Sequence, residues 1–361
     1  MKDSRVDDYA RLLVDRCVGV QPGWQVLVLS TPEARPIVQA VTREIAERGA
    51  YALLRLDFAS EALPVCHQWT RFAPEELLHE LPPIDQFAVQ NMDARITISA
   101  PENARDGSDL APERYRLVRE AVKPYYKRSM SMEIPWVTCQ FPTNALAQDA
   151  GMTLREFEDF LYGAVLLDWD EEGRKMERIA ERFDAANEVR FVGAGTDLTL
   201  SLEGRRGKVD KGTVNMPGGE VFYSPREDSA DGEISYSEFP AELNGHEVTG
   251  IRLRFERGKV VDASAASGEE FLLSALDTDE GARYIGELGI GCNPRITRHT
   301  KSVLFDEKIY GTIHIALGQS YTEVGGTNQS LIHWDMVKDL RNGGQIYCDD
   351  HLVQENGEWV F

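Results

Sequence analysis

Residues 307 to 337 read EKIYGTIHIALGQSYTEVGGTNQSLIHWDMV. Within this stretch Gly311-Thr312-Ile313-His314-Ile315-Ala316-Leu317-Gly318 alternates as a half-buried strand does. Ile313, Ile315 and Leu317 fall on one face, and Thr312, His314 and Ala316 on the other. Further on, His333 and Asp335 stand at i and i+2, which on a strand places an imidazole and a carboxylate on one face, roughly 6.5–7 Å apart along the backbone. Side chains at that spacing can converge on one ion, and both are typical ligands of zinc and similar divalent metals. A histidine in a strand also serves as a satisfied core residue, and His-x-Asp as a structural hydrogen bond, so the metal reading needs further carboxylates.

Working outward, the C-terminal half supplies them. Asn215-Met216-Pro217-Gly218-Gly219-Glu220-Val221-Phe222 sets a glutamate after a tight turn at the start of an apolar strand, and Ile285-Gly286-Glu287-Leu288-Gly289-Ile290-Gly291 repeats the design. A glutamate beside glycines can be a solvated turn residue. Next to apolar neighbours that read as buried, however, it needs a cation or hydrogen bonds. Glu220 and Glu287 with His314, His333 and Asp335 make five ligands, a set that suits two divalent ions sharing a carboxylate, ~3.5–4 Å apart.

Before residue 186 the pattern is different. The apolar run Val26–Leu29 reads as a strand of a covered parallel sheet, and Ala52–Leu56, Ala94–Ser99 and Trp136–Phe141 read as further strands. Helical patterns lie between them, at Ser4–Cys17, Pro36–Arg48, Pro74–Glu80 (stopped by Pro82-Pro83) and Pro112–Met130. Two more come after: a helix opened by the capping box Thr153-Leu154-Arg155-Glu156, and one over Glu171–Ala186. Alternation at this spacing predicts an α/β domain with a largely parallel sheet. From Val189 onward strands and Gly-rich turns dominate. The fold class expected is therefore an N-terminal α/β domain over 1–186 and a strand-rich α+β domain over 187–361 that carries the active site. No G-x-G-x-x-G succeeds a strand and no Walker A motif is present, so the sheet is not read as a nucleotide site.

The 361-residue chain is long enough for two cores, and its net charge of −21 opposes binding to nucleic acid or anionic membrane. No apolar run approaches the roughly 20 residues of a membrane helix. The N-terminus is not patterned as a signal peptide, and five scattered cysteines without a CxxC read as free thiols of a cytoplasmic protein.

Taken together, NMPGGEVF, GELGIG, LFDEKIYGTIHIALGQSY, GGTNQS and HWDMV, in this order over residues 215–337, carry a resemblance to the thermophilic-type metalloaminopeptidases, aminopeptidases T and S, that covers essentially the whole chain. The resemblance implies a cocatalytic pair of divalent ions, zinc or cobalt, and a homodimer sheltering the active site. It implies metal ligands at Glu220, Glu287, His314, His333 and Asp335, and catalytic roles for Glu220, Glu287 and Tyr321, the last a tyrosine near the metals. The expected reaction is release of the first residue from peptides with a free N-terminus. No G-x-S-x-G competes with it. Two other readings stay open. His314, His333 and Asp335 also form the 2-His-1-carboxylate set of mononuclear non-haem iron ring-cleaving dioxygenases, and the set could belong to a non-catalytic metal-binding protein. Asp306 and Glu307 lie in a matching motif without an assigned role.

Overall fold

The computed structural model describes residues 3–58, 66–123, 127–128, 133–243 and 245–361. The chain divides into two compact units, Met1–Leu167 with Gly212–Pro217, and Asp168–Lys211 with Gly218–Phe361.

The first unit is built on an all-parallel sheet of β1 (Gln25–Ser30), β2 (Tyr51–Leu56), β3 (Ala94–Ser99), β4 (Trp136–Gln140) and the short β8 (Asn215–Met216), in the order β2-β1-β3-β4-β8. The four long strands fall where the apolar runs predict. Val26 and Val28 on one face of β1 and Leu27 and Leu29 on the other are all buried, as a strand covered on both faces requires. The helix Ser4–Arg11 continues as a wider π-type turn, Leu12–Val18, closed by Gly19 in the left-handed conformation. The helix expected over Pro74–Glu80 is only a 3-10 turn, Glu75–Leu78. Pro82-Pro83, expected to stop it, instead opens the helix Pro83–Asn91, because proline lacks only an amide hydrogen that the first helical turn leaves unpaired. The helix from Pro112 runs to Ala121; its expected end at Met130 lies outside the described residues. The capping box at Thr153 and Glu156 forms as predicted.

The second unit begins with the helix Trp169–Asp184, N-capped by Asp168, whose stripe Met176, Ile179, Ala180 and Phe183 packs into this unit's core. The pattern change at 186/187 thus falls after the helix, while the contacts assign the helix to the second unit. Nine of the strands of this unit are β5 (Glu188–Gly193), β6 (Thr196–Ser201), β7 (Lys208–Asp210), β9 (Glu220–Tyr223), β10 (Asp231–Tyr236), β11 (Ala241–Leu243), β12 (His246–Val248), β13 (Ile251–Glu256) and β14 (Lys259–Ser264). Six more complete it: β15 (Ile285–Gly291), β16 (Thr312–Gly318), β17 (His333–Asp339), β18 (Gln345–Cys348), β19 (His351–Glu355) and β20 (Glu358–Trp359). They form an eight-stranded sheet, β14-β13-β10-β6-β5-β18-β19-β20, a five-stranded sheet, β17-β16-β15-β9-β7, and the hairpin β11-β12. The pairings of both large sheets are antiparallel. The expected fold class is the observed one, with two additions in a region whose sequence reads as strands and turns: the helix Glu269–Leu276 and the single helical turn Val303–Asp306.

Candidate metal centre

The five-stranded sheet has two unlike faces. Val221, Tyr223, Leu288, Ile290, Ile313, Ile315, Leu317, Trp334 and Met336 belong to the apolar core of the unit. Directly opposed residues of an antiparallel pair share a face, so the register identifies what stands on the other. Gly289 opposes His314 and Glu287 opposes Ala316; Ala316 opposes Asp335, Gly318 opposes His333, and Gly291 opposes Glu220. All five predicted ligands therefore project from one face of four adjacent strands. A bulge between Ile285 and Glu287 sets the second glutamate. The glycines there are not turn residues, since every residue of β15 is buried. They make room: a Cβ at Gly289 would lie 1.9 Å from Cε1 of His314.

The side chains converge. Glu287 lies between the imidazoles, with Oε1 3.5 Å from His314 Nε2 and Oε2 3.2 Å from His333 Nε2. Glu220 Oε2 is 3.8 Å from His314 Nε2, and Asp335 Oδ1 is 3.6 Å from His333 Nε2. Each imidazole is oriented from behind: His314 Nδ1 donates to the Glu307 carbonyl at 3.0 Å, and His333 Nδ1 to the Gln319 carbonyl at 2.8 Å. These bonds hold both rings with Nε2 toward the carboxylates, as ligating histidines are held. Glu220 Oε2, His314 Nε2 and Asp335 Oδ1 are buried with no hydrogen-bond partner. Orphaned buried polar atoms are rare and point to an ion, and these are hard and borderline donors that fit a divalent one. Three donor sets can be drawn: Glu220, Glu287 and His314; Glu287, His333 and Asp335; and Glu307, His314 and Asp335.

The electrostatics agree with a site built for cations. Burial disfavours both imidazolium forms, yet the surrounding carboxylates outweigh it and raise His314 and His333 to about 10. Burial raises Glu220 and Asp335, opposed by Lys308 and His333 respectively. For Glu287 the same burial is overcome by the two imidazoles its oxygens face, which hold it down at about 2. Tyr321 packs on this cluster, its ring 5.3 Å from His333 and 5.6 Å from Phe222, and burial with the nearby carboxylates keeps its phenol firmly protonated.

Two further residues join the cluster. Glu307, noted in the motif without a role, supplies the carbonyl behind His314 and a carboxylate within one donor set. Lys308, which sequence reasoning misses, has no exposed surface, bonds Glu307 and lies 3.3 Å from Glu220 Oε1. A Glu-Lys pair before a strand reads as an ordinary surface pair. Its burial is legible only in the apolar residues downstream of it. Asp306 belongs to none of the donor sets, although it lines the same cavity as His333 and Asp335. It accepts from the Thr300 amide and hydroxyl and faces His299 at 3.1 Å, fastening the loop before it.

A buried face of two imidazoles and several carboxylates with orphaned donor atoms is that of a divalent-metal enzyme. The whole sequence narrows the class: residues 2–359 match the thermophilic metalloprotease family, M29, and the chain belongs to that family. It is 28% identical to aminopeptidase 2 of Geobacillus stearothermophilus, over 99% of this chain and 98% of that one. Wild-type AmpT from Thermus thermophilus superposes with a TM-score of 0.83 at 25% identity, covering 99% of each chain. The 2,5-dihydroxypyridine dioxygenase of Pseudomonas putida covers 98% of this chain and 96% of its own with a TM-score of 0.59. At 16% identity it shares the fold alone.

Proposed function

We propose that this metalloprotease-family enzyme is an aminopeptidase that releases the first residue of peptides through a pair of divalent ions, zinc or cobalt. The observation that carries the reading is the placement of Glu287, whose two oxygens face different imidazoles so that two donor sets share one carboxylate. Glu220, Glu287 and His314 would hold one ion; Glu287, His333 and Asp335 the other. Such a pair, when bound, lowers the pKa of a water and polarises a carbonyl. The protein groups do the rest. Glu220 or Glu287 accepts the proton of the attacking water. Tyr321, kept protonated by its surroundings, donates a hydrogen bond to the oxyanion of the tetrahedral intermediate. A carboxylate of this acidic face receives the free α-amino group, which restricts cleavage to the first residue.

The iron dioxygenase reading is the weaker one on this geometry. A mononuclear centre of His314, His333 and Asp335 would leave Glu220 Oε2, buried beside it without a hydrogen-bond partner, with no metal to satisfy it. A non-catalytic structural metal fits poorly too, since structural zinc sites are closed by cysteine and histidine. The same reading makes residues 187–361 the catalytic domain. It makes the protein a cytoplasmic homodimer that binds neither nucleic acid nor membrane, in keeping with its charge of −21 and with cysteines that form no disulfide. No helix among the described residues is long and apolar enough to cross a membrane. The edge strand β2 supports the dimer: all six of its residues are exposed and five are apolar or aromatic, a surface soluble proteins normally cover. Light scattering at micromolar concentration should give the mass of two chains; the mass of one chain would remove the dimer.

The activity is tested with matched unblocked and N-acetylated peptides, an apolar residue such as leucine first, with and without chelator. Only unblocked peptides should be cleaved, and chelation should abolish turnover. Equal cleavage of acetylated peptides would exclude an exopeptidase, and turnover that survives exhaustive chelation would exclude the metal.

A further inference from the structure

We infer that Lys308 is a positioning residue of this centre, a buried cation that commits Glu220 to binding through one oxygen and offsets the negative charge of the face. The inference rests on the two-ion reading above. Lys308 has no exposed surface, and its ammonium sits between two carboxylates, bonded to Glu307 and 3.3 Å from Glu220 Oε1. The remaining Glu220 oxygen, Oε2, is the orphaned one and lies 3.8 Å from His314 Nε2. One oxygen of Glu220 is thus held by the lysine and the other faces the donor set. The backbone makes the arrangement rigid. The Lys308 carbonyl accepts from Asn293 N at 3.1 Å, Asn293 Nδ2 donates to the Gly218 carbonyl at 3.0 Å, and Cys292 N donates to the Gly219 carbonyl at 2.8 Å. The lysine is thereby tied to the turn that delivers Glu220.

Burying an ammonium is strongly unfavourable unless it is paired, so its presence asks for a role that an apolar residue could not fill. Charge supplies one. Glu220, Glu287, Glu307, Asp335 and the buried Asp210, which opposes Glu220 in the sheet, carry five negative charges, one more than two dications balance. Lys308 brings the filled site to neutrality, and without it the site is one unit negative against the oxyanion that develops at a scissile carbonyl. Removing the lysine makes the site hold cations better and stabilise the oxyanion worse. A side chain that merely propped the fold would weaken both.

The opposite signs make the test. Zinc affinity and stoichiometry are measured by competition with a chromophoric chelator on wild type, K308M, K308R and the double variant E307Q/K308M, with kcat and KM on an unblocked peptide. K308M should bind two zinc ions on the order of tenfold tighter than wild type. Its kcat should fall on the order of a hundredfold with KM little changed. K308R, which keeps the charge, should restore much of kcat. E307Q/K308M, which removes one charge of each sign, should return to wild-type zinc affinity with kcat still low, and it gives the readout if K308M does not fold. Wild-type kcat in K308M or in the double variant would overturn the inference, as would zinc binding weakened by K308M and not recovered in the double variant. Fewer than two zinc ions on the wild type would overturn the underlying two-ion reading as well, and is seen before any variant is compared.

Discussion

Asp279 gathers the segment that leads into His333. Its Oδ1 accepts from the amides of Gly281 and Ala282 and from the Ser330 hydroxyl, and its Oδ2 from the Leu331 amide at 2.7 Å. Burial alone would raise this carboxyl, but the bonds from Leu331 and Ser330, then those from Gly281 and Ala282, bring it below the ordinary aspartate value of 3.8. A depressed folded pKa contributes stability that is present above the unfolded value, near pH 4, and is lost as pH falls through the lowered folded value. Asp279→Asn keeps the shape but turns one acceptor into a donor facing an amide hydrogen or the Ser330 hydroxyl. It should cost about 1–2 kcal/mol at neutral pH, a modest figure because the carboxylate is partly solvated, and the difference from wild type should shrink as pH drops below 4. Urea denaturation at several pH values checks this. A pH-independent difference would show that the charge of Asp279 does not matter. The sequence reveals only half of this role: Asp279-Glu280-Gly281 reads as a local turn, while Ser330 and Leu331 are joined to it only by the fold.

At the level of elements, the sheet that carries the centre is legible where its strands alternate and obscure where they do not. His314 on β16 and the His333–Asp335 pair on β17 fall on one face because period-two spacing fixes a face without knowledge of the partner strand. The four-strand register that adds Glu220 and Glu287 is suggested by chemistry alone, since pairing between strands tens of residues apart leaves no local mark. GELGIG offers three glycines to a turn, yet they belong to a buried strand whose missing side chains accommodate neighbours such as the His314 ring. The helix Glu269–Leu276 escapes notice because eight residues between strands hold too few turns for a helical stripe to stand out. Pro82-Pro83 misleads for a related reason: a proline pair ends one helix or starts the next, and the tertiary packing of the residues beyond it decides between the two.

For the molecule as a whole, composition bounds the partners while the fold and the family define the chemistry. The change of pattern lies at 186/187, whereas the helix Trp169–Asp184, which precedes it, packs with the second unit. Amphipathic periodicity states that a helix has an apolar face, not which core receives it. The central claim is that two ions sharing Glu287 make one peptidase centre, and stoichiometry addresses it most directly. Metal-free protein is titrated with zinc while cleavage of an unblocked peptide is monitored. Activity should be absent without metal and reach its plateau at two zinc ions per chain. A plateau at one ion per chain, or activity before any zinc is added, would contradict it.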